Sequence, residues 1–167
     1  MKGKELRQAL KAKMEEEFRR DPSIRDGKKL TAILLALWIM SRVFFLIMDL
    51  ICSRIGFIEF APANIAGFAV SLLFALLLYR GAGKLALLPL VGGVMMLANV
   101  FRQGTIRLLS MDLDPVLRLH MISYILAAAV TVLVMLLLLL LPACKTYAET
   151  AMGAMRELNG QQKEHRL

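Results

Sequence analysis

With 167 residues, 58% of them hydrophobic, and a mean hydropathy of +0.62, the chain is too apolar for an ordinary soluble domain, yet 20% of it is charged and its net charge is +8. Both hold together only if charge and apolar surface are segregated along the chain. The basic excess flanks apolar segments without interleaved aromatics, which argues against nucleic-acid binding, and Cys52 and Cys144 lack the CxxC or Cys/His spacing of zinc and thiol redox sites.

Residues 2–20 read as a helix. Leu6, Leu10, Met14 and Phe18 recur at every fourth position, and Glu15 with Arg19 and Glu16 with Arg20 form supportive pairs. Asp21 and Pro22 end it. Residues 1–29 carry ten Lys or Arg, so no cleavable signal peptide is expected and the first span itself is the expected insertion signal. The segment has two readings: an interfacial helix that lies on the inner leaflet or docks a partner helix, or a solvated positive flank that orients the first span.

Residues 30–51 form the first expected span, 22 residues long, or roughly 33 Å against a hydrocarbon core of about 30 Å. Three further stretches contain no Asp, Glu, Lys or Arg: 60–79, 85–101 and 119–144, of 20, 17 and 26 residues. These lengths suit spanning helices, and lipid requires each backbone amide to be paired within its own segment. The expected fold is all-α: an integral membrane four-helix bundle with an amphipathic N-terminal helix and a short C-terminal helical tail. Its regions are a basic helix and linker at 1–29, the transmembrane domain at 30–143 with spans at about 30–51, 61–79, 85–102 and 116–141, and a tail at 144–167.

Short connections follow from the local chemistry. Pro62 suits the first turn of the second span, and Arg80-Gly-Ala-Gly-Lys84 makes a tight turn that sets the second and third spans antiparallel. That turn lacks the GxxxxGK[ST] spacing of a phosphate cradle. In the third span Pro89 and the pair Gly92-Gly93 predict close helix packing or a kink, as do the small residues Gly67 and Ser71 in the second span and Ala127 and Thr131 in the fourth. A discontinuous helix lining a substrate site is the sharper reading of the same glycines. Residues 102–118 mix apolar and charged side chains and are expected along the outer interface, and Asp114-Pro115 is a cap followed by a helix start. Pro142 ends the last span, and Tyr147, Ala151, Met155 and Leu158 carry a helical stripe into the tail, which is expected to fray from Gly160.

Outside the spans, sixteen Lys or Arg fall on the side of the termini and four on the other. The positive-inside rule then places both termini in the cytoplasm of a cell-membrane protein, with an affinity for anionic lipid headgroups. In this threading Cys52 and Cys144 lie at opposite faces of the membrane and cannot bridge within one chain.

Arg42 sits near the middle of the first span. A charge there costs about 2.5–3.5 kcal/mol on insertion scales and needs compensation. Counting rise per residue brings Ser71 and Asn99 within roughly 5 Å of its depth. The candidate intramembrane polar site is therefore Arg42, Ser71 and Asn99, and the same count pairs Asp49 with Arg102 as a structural ion pair near the outer edge. Arg42 is either satisfied by neutral groups and snorkelling, or it meets an anion, a headgroup or an acidic residue of a second protein. Asp112, Asp114 and His120 make a poor metal set because Asp114 is spent as a cap, and His120 and His165 cannot build a hydrolytic triad across a membrane. No catalytic, cofactor or metal site is expected. The expected function is a non-enzymatic accessory, assembly or sensing subunit acting through helix packing with itself or another membrane protein. The alternative is a small homodimeric transporter or channel in which Arg42 faces an anionic solute.

Overall fold

The computed structural model describes residues 3–59, 61–108 and 114–164, and every regular element among them is helical. The elements are α1 (Gly3–Arg20), α2 (Pro22–Arg54), α3 (Pro62–Tyr79), a 3₁₀ turn (Gly83–Ala86), α4 (Leu87–Leu108), α5 (Pro115–Leu140) and α6 (Pro142–Glu164). Four segments are long and apolar enough to cross a membrane: Pro22–Arg54, Pro62–Tyr79, Gly83–Arg102 and Pro115–Leu140.

Prolines punctuate this order. Pro22, Pro62, Pro115 and Pro142 each open a helix, where the missing amide costs nothing. Asp21 and Asp114 cap two of them, accepting from the amides of Ser23 and Val116 at 2.8 Å each. The expected linker after Asp21 does not exist as a separate element. Residues 22–29 are the first two turns of α2, because the cap and Pro22 start the helix there and Gly27 lets it run hard against the start of α6. A Cβ at Gly27 would collide with the Ala143 carbonyl. The tail also departs from expectation, since α6 continues helically past Gly160 to Glu164.

α2 is the central element, packed against α3, α5 and α6. Its inward stripe of Leu34, Leu35, Trp38, Ser41, Met48, Asp49 and Cys52 is buried. Trp38, Leu34 and Leu35 share a core with Val134, Met135 and Leu138 of α5, Leu78 of α3 and Cys144 of α6. The Trp38 indole donates to Thr131 Oγ1 at 3.0 Å, and the Thr131 hydroxyl donates to the Ala127 carbonyl at 2.7 Å. One buried side chain thus links α2 to α5. α4 reaches α5 at Gly93, where a Cβ would press on Thr131 and Val132. This is the close approach that small residues permit.

A second, smaller core lies at the end of the spans that carries α1 and α6. Met14, Ile24, Tyr147, Ala151 and Ala154 are buried together, with Leu10 and Phe18 against them. The apolar stripe of α1 is therefore covered by the chain's own α6. Lys13 and Glu157 form an ion pair across that contact.

Candidate functional site

Midway along the candidate span in α2, Arg42 emerges half-buried into a cleft of about 260 Å³. Trp38 and Thr131 form its floor, Gly67, Ser71 and Phe74 of α3 one wall, and Pro89, Gly92, Gly93 and Met96 of α4 the other. The cleft exists because α3 packs chiefly on α2 and on the 3₁₀ turn, whereas α4 packs chiefly on α5. A Cβ at Gly67 would meet only the Arg42 guanidinium within 4 Å and one at Gly92 would meet nothing, so the two walls stand apart there.

The guanidinium has weak company. Arg42 Nη1 lies 3.7 Å from the Met96 sulfur, and among the described residues it forms no ion pair. A thioether is a poor acceptor for a cation. Ser71 lines the same cleft, but its hydroxyl donates to the Gly67 carbonyl of its own helix at 2.8 Å. Asn99 does not join them and is exposed. Gly93, Met96, Leu97 and Val100 form the more buried face of α4, and at about 100° per residue Asn99 lies about 120° round the helix from Gly93. Rotation about α4, which the count of rise per residue does not include, turns Asn99 away from the cleft.

The same rotation removes the expected pair between Asp49 and Arg102. Arg102 is exposed, nine residues on from Gly93 and so about 180° round the helix, on its outward side. Asp49 is buried to 3% exposure and finds other partners. The Asn64 amide donates to Asp49 Oδ2 at 2.8 Å, and His120 Nε2 lies 3.2 Å from Oδ1. Phe45 packs its ring on His120 and Tyr124, with centroids 5.7 and 5.5 Å away. His120 and Asn64 were not foreseen in this role, although a signal was available. Asn64 and His120 fall within the first two turns of α3 and α5, and Asp49 lies in the last two turns of α2, which places all three at one end of the spans.

Asp114 caps α5 as expected, whereas Asp112 and His165 lie outside the described residues. Cys52 and Cys144 are both buried free thiols, near opposite ends of the spans. The geometry therefore brings together one cation without a carboxylate in an open cleft, and one carboxylate already served by an amide and an imidazole. No family model, curated protein or solved structure matches the chain.

Proposed function

We propose that the chain is a multi-pass integral protein of a cytoplasmic membrane, with both termini inside, that acts without catalysis by holding a transmembrane helix of a second membrane protein at the cleft beside Arg42. One observation carries this reading: a half-buried guanidinium midway along a candidate span faces a lateral cleft and, among the described residues, has a thioether as its hydrogen-bond contact and no carboxylate in an ion pair with it. A carboxylate arriving from a neighbouring helix would satisfy it at a depth where lipid cannot. The glycines of both walls allow such a helix to approach closely. A second copy of this chain is the poorer occupant, because Asp49 is the one acidic residue within the expected spans and it is already buried against Asn64 and His120. The excess of Lys and Arg on the side of the termini supports the orientation.

The test places a photo-crosslinking residue at Val70, which lines the cleft, in the full-length chain in native membranes. A discrete crosslinked adduct is expected, lost in Arg42→Leu and largely kept in Arg42→Lys. An adduct indifferent to Arg42 would sink the proposal. The opening of the cleft favours a second reading, a homodimeric transporter with Arg42 facing an anionic solute. A Cys52→Ser, Cys144→Ser, Arg42→Cys variant separates the two. Reaction of position 42 with a small charged thiol reagent in sealed vesicles supports transport, and protection supports the packing role.

A further inference from the structure

On the same end of the spans as the α1–α6 core, but on the opposite side of α6, lies a groove of about 550 Å³. It begins at Leu138 and Leu139 in the last turn of α5 and runs between the Gly81–Lys84 turn and α6. Lys145, Glu149, Met152 and Arg156 line it at spacings of four, three and four residues, which puts them on one helical face. The turn is held tightly in place. Gly81 has φ +96°, and a Cβ there would crowd Ala151 and the Ala148 carbonyl, while one at Gly83 would press on Ala148. These contacts seat the turn on α6, and Lys84 of the turn lines the groove together with Lys145.

Lys84, Lys145 and Arg156 are exposed cations, and none is in an ion pair among the described residues. Among the described residues, Glu149 is the one acidic residue lining the groove. Leu138 and Leu139 at the end of a candidate span, lining one groove with two lysines and an arginine, match an amphiphile whose charge sits just above its acyl chains.

We propose that this groove binds the headgroup of an anionic glycerophospholipid, with Lys84 and Lys145 on the phosphate, Arg156 adding attraction from the outer end, and the first acyl carbons against Leu138 and Leu139. The proposal rests on the membrane reading above, and not on the Arg42 cleft. Continuity with the ends of the candidate spans favours lipid over free phosphate, since a soluble anion gains nothing from Leu138 and Leu139.

The full-length chain is first extracted with alkaline carbonate, then purified in neutral detergent and examined by native mass spectrometry with added phosphatidylglycerol or phosphatidylcholine. Release of the chain by carbonate overturns the membrane reading itself, whereas retention leaves the groove to be judged alone. Phosphatidylglycerol is expected to bind in preference to phosphatidylcholine, and K84Q/K145Q is expected to weaken it on the order of tenfold. R19Q/R25Q, which removes the same charge from outside the groove, is expected to leave binding near wild type. E149Q is expected to strengthen it several-fold, an effect that loss of folding would not produce and that stands even if the double variant folds poorly. Equal binding of the two lipids, equal losses in the two double variants, or no gain in E149Q would overturn the proposal. Displacement of the lipid by millimolar inorganic phosphate would assign the groove to a free anion and overturn it as well.

Discussion

Tyr147 fastens α6 to the end of α3, its phenol donating to the Tyr79 carbonyl at 2.5 Å, and it is 4% exposed. Burial, with the neighbouring Tyr79 adding to it, pushes its pKa up to about 12. The folded chain therefore holds the phenolic proton more tightly than the unfolded chain, whose tyrosine titrates near 10. The contribution is complete below about pH 10 and is lost as pH rises through about 12. Tyr147→Phe should cost about 1 kcal/mol near neutrality for the lost hydrogen bond. It should also flatten the fall in melting temperature of the detergent-solubilised chain at high pH, and an unchanged alkaline slope would show that Tyr147 is not the group responsible. Gly27→Ala is a second test at this scale. The added Cβ meets the Ala143 carbonyl, so α2 and α6 must separate, and overpacking of this kind costs about 1–3 kcal/mol. A melting temperature equal to wild type would mean that the contact is loose. The sequence made Arg42 conspicuous because a charge in an apolar run needs no structure to be noticed. It hid Gly27, since a glycine among Lys and Arg reads as linker until the opposing backbone is known.

At the scale of elements, the fourfold repeat of Leu10, Met14 and Phe18 revealed a helix but not what it touches, because the covering residues Tyr147, Ala151 and Ala154 lie in the last helix of the chain. Periodicity reports one face of one element, and the partner is fixed by tertiary contact. The same limit explains Asn99 and Arg102. Rise per residue speaks only to position along the axis, whereas rotation about α4 is set by the seating of Gly93 on Thr131 and Val132. The hydrocarbon-length segments, the proline starts and the Asp114 cap were legible because each depends on composition or on neighbours within a turn. The docking of α1 can be tested by placing a charge in its core. Met14 is 9% exposed, and burying a methionine is worth about 1.5–3 kcal/mol. Met14→Lys should release α1 and speed tryptic cleavage after Lys11 and Lys13, while the α2–α5 core around Trp38 stays intact. Cleavage at the wild-type rate would mean that α1 is held by something other than this apolar contact.

At the scale of the whole molecule, the contact between α1 and α6 constrains the threading. Helices joined through Met14, Ala154 and the Lys13–Glu157 pair must lie on one side of any membrane the chain crosses, and only an even number of crossings permits that. The four candidate spans satisfy this condition independently of charge, and the sixteen-to-four distribution of Lys and Arg supports the proposed placement of that side in the cytoplasm. Packing thus supports a common side for the two ends, and charge, a separate physical effect, supports the proposed orientation. In a Cys52→Ser, Cys144→Ser background, single cysteines at Gln8, Gly160 and Phe57 test it, since each is an exposed position. A membrane-impermeant thiol reagent applied to intact cells should label Phe57→Cys, in the connection after α2, and should reach Gln8→Cys and Gly160→Cys only after the membrane is opened. Labelling of positions 8 and 160 on opposite sides would break the α1–α6 contact as well as the topology. If both are labelled from outside while position 57 is protected, packing survives and the charge rule fails, which would place Lys84, Lys145 and Arg156 against the outer leaflet.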